Sequence, residues 1–270
     1  MCRHATDELR SNELRSNVDD LERVMNKIQR LLAIHGVAGT LRLFVAKATG
    51  LLFYLTPARR RARAAARERD LSFDRKWGVD TSGMIIPDVQ DVVGTSWEYG
   101  SRYQGIDVVA LEQSLRDLKI DFGQFTFVDF GSGKGRAVLV AAQIPFRKVI
   151  GVEYSDSLNR IALQNLARFP ADAMKCQDVD LICADAANLT IPDGPLVLFF
   201  YNPFGEAVMS QVVENVRNAV RAQSRRIVVL YFYAVAAQLW RDSGFMGEVQ
   251  SGMQLSLYDT MCCDELSAAA

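Results

Sequence analysis

Residues 125–142 read FTFVDFGSGKGRAVLVAA, and this run carries the most legible chemistry in the chain. An apolar, strand-like stretch from Phe125 to Phe130 meets three glycines at alternate positions, Gly131, Gly133 and Gly135. An apolar segment of helical character follows. A strand that empties through a glycine turn into a helix N-terminus builds a ligand site. Glycine tolerates φ > 0 and close approach, and the helix start offers unpaired N–H groups. Polar residues fall at the expected ends of the next strands: Glu153 closes VIGVE twenty positions after Gly133, Asp185 closes ICAD, and Asn202 opens NPFG. Open α/β sheets bind their ligands at such strand C-termini. The ligand is nucleotide-like.

Three glycine patterns compete for the turn. A P-loop, G-x-x-x-x-G-K-[ST], has its Gly-Lys pair at 133–134 but meets Val128 and Gly135 at its two ends, so it fails. A dinucleotide fingerprint, G-x-G-x-x-G/A, meets Arg136 where a small residue belongs, which weakens it without removing it. The third pattern, hydrophobic–Asp–x–Gly–x–Gly–x–Gly, is met in full by residues 128–135. It belongs to sites for S-adenosylmethionine, a ligand with an ammonium, a carboxylate and a sulfonium but no phosphate. An acid at the turn suits that cationic tail and is a poor neighbour for a pyrophosphate. Glu153 stands where nucleotide folds keep an acidic ribose-binding residue. Asp185 is placed to accept from an adenine amino group.

The runs FVDFGSGKGR, VIGVEYS, CADAANL and LFFYNPFG resemble successive motifs of class I S-adenosylmethionine-dependent methyltransferases, over roughly residues 100–260. GSGKGR together with NPFG is most similar to a bacterial group related to the non-SET (seven-strand) histone lysine methyltransferases. The upstream FDRKWGVDTSG resembles that group's lead-in. The resemblance implies an α/β fold with a Rossmann-like seven-stranded sheet in the order 3-2-1-4-5-7-6, strand 7 antiparallel, helices on both faces and an N-terminal helical extension. It implies S-adenosyl-L-methionine as cofactor, with Asp129, Gly131, Ser132, Gly133, Gly135, Glu153, Asp185, Ala186 and Asn202 as the binding residues. It does not fix the methyl acceptor.

Methyl transfer from a sulfonium is an in-line displacement in which positioning supplies most of the rate. The side-chain carbonyl of Asn202 can accept from an acceptor N–H and aim the nitrogen lone pair. Phe204 and Tyr201 can wall the acceptor, and Tyr103 precedes the core where relatives close over the cofactor. Asn202, Phe204 and Tyr103 are therefore the catalytic candidates. The proline after Asn202 predicts an extended backbone there. Trp97, Tyr99, Tyr103, Tyr231 and Tyr233 are candidate channel walls for a lysine, whose amine must first lose its proton. NPFG departs from the NPP[YFW] form of adenine and glutamine N-methyltransferases, which lowers a nucleic-acid-base acceptor below protein. A small-molecule or nucleic-acid-base methyltransferase, a non-catalytic cofactor-binding assembly module and a nicotinamide oxidoreductase stay open as alternatives.

The elements that must position these groups alternate. Helices are expected over 106–118, 134–143, 156–168, 205–222 and 235–241, strands over 125–130, 148–153, 179–184, 195–201 and 226–233, and a hairpin of 245–250 with 253–260. Strands alternating with helices predict a parallel sheet covered on both faces, and the closing pair predicts one antiparallel member. Upstream, Leu14, Val18, Leu21, Met25, Ile28 and Leu32 form an a/d seam within a helix over 7–35, suited to core packing or self-association. The apolar run 41–57 is too short to span a bilayer, leaving a buried helix or a membrane-surface contact, with Pro57 ending it. Residues 59–69, RRRARAAARER, read as a solvated basic helix, and 72–104 as a long segment without regular periodicity. The chain thus divides into a helical extension (1–70), a covering lead-in (71–120) and a core (121–263).

Composition excludes other classes. A formal net charge of −1 gives no global attraction to nucleic acid or acidic membranes. Five cysteines without CxxC spacing and two histidines exclude a Cys/His zinc site, so no metal is expected. The charged N-terminus lacks a signal-peptide h-region, and a reduced, cytoplasmic setting fits the cysteines.

Overall fold

The computed structural model describes residues 36, 56–85, 91–92 and 103–261. The expected helix over 7–35, the run 41–55, and Trp97 and Tyr99 lie outside the described residues. Two compact units divide at residue 66: Met1–Ala66 and Arg67–Ala270. Of the first unit, the described part is essentially the opening turns of α1 (Pro57–Trp77). Pro57 opens this helix rather than closing the run before it, and a fixed φ with no N–H suits that first position. Alanine and arginine, both strong helix formers, then carry α1 beyond the basic run and through SFDRKW. Gly78 ends it at φ +68, with the Gly78 and Val79 N–H groups both donating to the Asp74 carbonyl. The segment after residue 72 thus begins helical. It also contributes β1 (Met84–Ile85), paired antiparallel with β2 (Tyr103–Gln104).

The second unit is built on a seven-stranded sheet. After α2 (Val108–Arg116) come β3 (Thr126–Phe130), α3 (Arg136–Ala142), β4 (Lys148–Glu153), α4 (Asp156–Arg168), β5 (Val179–Cys183), β6 (Leu196–Tyr201) and α5 (Glu206–Ala222). The chain continues through β7 (Ile227–Phe232), α6 (Ala237–Arg241), β8 (Gly247–Gln250) and β9 (Leu255–Asp259). The spatial order is β5-β4-β3-β6-β7-β9-β8, parallel through β7, with β9 antiparallel to both of its neighbours. Counted within the sheet this is 3-2-1-4-5-7-6 with strand 7 antiparallel, as expected.

Period-two alternation places the core on both faces. Phe127, Val149, Val197, Phe199, Val228 and Leu230 face α2 and α3. Val128, Phe130, Val152, Leu198, Phe200 and Val229 face α5 and α6, where Trp240 is fully buried. Local capping sets the helix starts: Asp107 accepts from Val109 N and Ala110 N, and Ser155 accepts from Leu158 N. Five parallel strands therefore deliver their C-terminal ends to one edge.

The lead-in is fastened to that edge by two buried cations. Lys134 Nζ donates to Asp80 Oδ1 at 2.7 Å and to the Ser82 carbonyl at 2.9 Å. Arg136 donates to Thr81 Oγ1 at 2.8 Å, to the Asp70 carboxylate, and to the carbonyls of Asp70 and Ile106. Asp74 in turn accepts from the backbone and hydroxyls of Thr81 and Ser82, and the Asn165 side chain brackets the Asp80 backbone from both sides. Removing one partner of a buried, hydrogen-bonded charge leaves the other uncompensated. Arg136→Ala should therefore lose about 3 kcal/mol in urea denaturation. Lys148 bridges Asp178 and Asp180 on a partly exposed edge, and Lys148→Ala should cost under about 1 kcal/mol.

Candidate functional site

A cavity of about 580 Å³ opens at the C-terminal edge of the parallel strands. That volume lies within the range of small-molecule sites. Its wall takes residues from five strand ends in sheet order: Asp185 and Ala186 after β5, Glu153 at the end of β4, Gly131 after β3, Asn202–Phe204 after β6, and Tyr233 after β7. Tyr103 and Gln104 of the lead-in close it from outside. Of the expected binding residues, Gly131, Glu153, Asp185, Ala186 and Asn202 line the cavity, and so do the catalytic candidates Phe204 and Tyr103. Asp129, Ser132, Gly133 and Gly135 do not; the last three form the turn behind the wall, and Asp129 lies within β3 just before it.

The turn owes its glycines to the protein's own side chains. A Cβ on Gly133, at φ +53, would sit 2.1 Å from the Tyr103 ring, and one on Gly131, at φ +83, would sit 2.4 Å from Pro203 Cβ. The close approach expected of a ligand is thus made first by Tyr103 and Pro203. Tyr103 is buried, and burial pushes its phenol well up, so the hydroxyl stays protonated and donates to the Thr81 carbonyl at 2.5 Å.

Two acids carry the electrostatics. Glu153 Oε2 accepts from Gly133 N at 2.7 Å and Oε1 from Ser155 N at 2.9 Å. Burial pushes this carboxyl up to about 7 against the pull of those backbone donors. Asp129 is 3% exposed, on the sheet face that carries Phe127 and Phe199. Burial first, and the Glu153 charge second, hold its carboxyl well above the usual range. A cation arriving at this edge would stabilise both ionised forms.

Unpartnered acceptors mark where a ligand can bond. Asp185 Oδ1 caps a short 3-10 turn through Ala187 N, while its Oδ2 is buried without a partner among the described residues. Asn202 Oδ1 is likewise buried and unpartnered among the described residues. Asn202 is not extended as the following proline implied: its φ is +44, in the left-handed region that asparagine tolerates better than most residues. Phe204 packs edge-on against Phe200 at 6.2 Å, buried in the core while also lining the cavity. Tyr231 is no channel wall. It is fully buried, and its hydroxyl accepts from Ala236 N. Tyr233 and Tyr201 take that place, with rings 5.6 Å apart.

Asp91 went unread in the sequence. It accepts from Ser155 Oγ at 2.6 Å, from Ser157 N at 3.0 Å and from Ser157 Oγ, and Val92 bridges Ser155. Burial acts to raise the Asp91 carboxyl, yet these hydrogen bonds outweigh it and hold it below the usual range. The lead-in thereby reaches the α4 start and, through Ser155, Glu153. Only the cap at Ser155 had a local signal; Asp91 lies 64 positions from its partner.

No family model matches the chain, and no curated protein matches it. Similar solved structures include magnesium protoporphyrin IX methyltransferase from Synechocystis PCC 6803, at 15% identity and TM-score 0.41 over 56% of this chain and 76% of that one. A predicted N6-adenine-specific DNA methylase from Listeria monocytogenes is 15% identical, TM-score 0.43, over 57% and 51%. A SAM-dependent methyltransferase from Aquifex aeolicus is 13% identical, TM-score 0.42, over 55% and 87%.

Glu153 supplies a pH test. Its folded-state value near 7 lies above the reference 4.5, so the folded protein holds a proton that the unfolded chain releases between those values. Stability contributed by the neutral acid is fully present below about pH 4.5 and is lost as pH rises through 7. Relative to wild type, Glu153→Gln should gain up to about 3 kcal/mol across that window, read as the difference between the two proteins' urea midpoints at pH 4.5 and 7.5. A constant difference would place the Glu153 proton elsewhere.

Proposed function

We propose that the chain is an S-adenosylmethionine-dependent methyltransferase that acts on nitrogen, with a protein lysine as acceptor in a cytoplasmic setting. One observation carries this: Glu153 and the Asp185 Oδ2 and Asn202 Oδ1 atoms, both without a partner among the described residues, belong to residues of a single cavity wall beside a glycine turn whose cations are both committed to the lead-in. A phosphate-bearing ligand finds no spare cation at the turn among the described residues. A ligand with hydroxyls, an amino group and positive charge finds acceptors.

The donor set fits residue by residue. Each Glu153 oxygen already accepts one backbone N–H and keeps a lone pair for a ribose hydroxyl. Asp185 Oδ2 is free for the adenine amino group. Asp129, behind the turn, answers positive charge through the field rather than by contact. When bound, S-adenosylmethionine supplies an electrophilic methyl: its C–S bond breaks with the pair going to sulfur as an N–C bond forms, and the nitrogen's proton leaves to solvent. Asn202 Oδ1 accepts the remaining N–H and aims the lone pair. Tyr201, Phe204 and Tyr233 exclude water, which favours the neutral amine. Burial pushes the Tyr201 hydroxyl up to about 12, so it stays protonated and can donate on the acceptor side.

Calorimetry with S-adenosylmethionine and with NAD separately should give heat with the first alone; heat with NAD alone sinks the proposal. Asp185→Ala should weaken cofactor binding by about tenfold. Asn202→Ala should bind within about threefold of wild type while turnover falls ~100-fold or more. For the acceptor, label from methyl-tritiated cofactor in a cell lysate should be lost on protease treatment. Label removed only by nuclease would move the acceptor to nucleic acid.

A further inference from the structure

We infer that Tyr233 is the specificity-determining residue for the acceptor, and that with Tyr201 it forms an aromatic corner, opposite the Asn202 carbonyl oxygen, that takes an unbranched aliphatic amine. The inference rests on the reaction proposed above and identifies the part of the site that reads the acceptor.

The observation is a matched pair of backbone outliers. Strands β6 and β7 run parallel, and their last paired residues are Tyr201 and Phe232. The next residue of each strand, Asn202 and Tyr233, takes a left-handed φ, +44 and +50. Lys119 is the other non-glycine among the described residues to do so, and it stands apart from the cavity wall. Asparagine visits this region readily, but a tyrosine is held there only when its surroundings over-determine it. Glycine would remove the strain at Tyr233, so the side chain is what the position retains. The surroundings that hold it are visible. Tyr233 N donates to the Gln254 carbonyl at 2.9 Å, and the ring meets Tyr201 edge-on at 5.6 Å and 70°.

The turn changes what the strand presents. Tyr231 and Phe232 are buried, whereas Tyr233 is 46% exposed and lines the cavity. Its hydroxyl has no hydrogen-bond partner among the described residues. Two rings at 70° cannot sandwich a flat base between parallel faces. They make a corner with an exposed π-face, which attracts an ammonium and tolerates its methylated product. Asn202 Oδ1, one strand over, accepts the amine N–H. The two rings and the Asn202 carbonyl oxygen thus stand at neighbouring strand ends on one cavity wall.

The test does not require the natural acceptor. The probes titrated by calorimetry are S-adenosylhomocysteine and a charge-matched pair of its analogues with a tertiary nitrogen in place of sulfur, one carrying a methyl group and one a 4-aminobutyl arm. In wild type the arm should improve affinity over the methyl analogue by about tenfold, the scale of a desolvated cation–π contact. Tyr233→Phe keeps the ring and should keep most of that gain. Tyr233→Ala and Tyr233→Gly should lose it while binding S-adenosylhomocysteine within about twofold of wild type. Tyr233→Gly, relieved of backbone strain, should melt no lower than wild type. Retention of the gain in Tyr233→Ala overturns the inference, as does a larger gain from an arm carrying adenine. So does a Tyr233→Gly protein that melts low and binds all the probes equally weakly, which would make Tyr233 structural. Absence of S-adenosylhomocysteine binding to wild type would instead bring down the proposed function itself, and this inference with it.

Discussion

Two buried cations, Lys134 and Arg136, fix what the glycine turn can be. In a phosphate-binding loop a lysine next to the glycines faces the ligand. Here Lys134 ends on Asp80 and Ser82, and Arg136 on Asp70, Thr81 and Ile106. The lead-in is thereby drawn onto the turn, and Tyr103 lies where a Gly133 side chain would be. Each consequence requires the one before it. Without the ion pairs the lead-in keeps only its anchors on Asn165, Ser155 and Ser157; without the lead-in the cavity has no outer wall; without glycine at 133 the wall has no seat. A buried cation paired with a more exposed acid is weak evidence for stability in itself, because desolvation of the cation offsets the attraction. Its effect is specificity of arrangement, with one segment held in one register on one loop.

Glu153 is where the lead-in, the turn and the ligand edge meet. Its two oxygens hold Gly133 N and Ser155 N, and Ser155 in turn holds Asp91. A carboxylate that accepts two backbone N–H groups would ordinarily have a depressed pKa. This one is raised because it is buried beside Asp129 and within the field of Asp91. Two acids near one another, with no cation directly on either among the described residues, are held toward their protonated forms. A cation brought beside them would favour their ionised forms instead.

Strand bounds and most helices were legible because each is a local pattern, whereas the sheet order came from the family resemblance of the motifs. VIGVE and LFFY are unbroken apolar runs, and Lys148–Glu153 and Asp156–Arg168 fall at their expected limits. The strand ends then gave Glu153, Asp185 and Asn202 from position alone. What was not legible depends on distance along the chain. Arg136 reads as a residue that spoils a dinucleotide motif, and nothing nearby tells that its partner is Asp70, 66 positions away. Tyr231 and Tyr233 look alike in YFY, yet one is core and the other cavity wall, because the left-handed turn at Tyr233 breaks the alternation. The proline after Asn202 misled for a related reason: it biases the preceding backbone, and the tertiary setting overrode that bias. SFDRKW lacked a clean apolar stripe because its Asp74 serves the helix face that docks.

The row of strand ends also explains why one cavity can serve two ligands. In the order β5-β4-β3-β6-β7, free or raised acids stand at β5 and β4, the turn at β3, and the amide and aromatic groups at β6 and β7. Acceptors suited to hydroxyls and amino groups therefore occupy one half of the edge, and groups suited to orienting and desolvating a nucleophile occupy the other. The boundary is the contact of Gly131 with Pro203, where the absence of a Cβ lets the β6 loop close directly on the β3 loop. The missing Cβ at 131 thus sets how closely the β6 loop approaches the β3 loop, while the missing Cβ at 133 seats the Tyr103 ring over the turn.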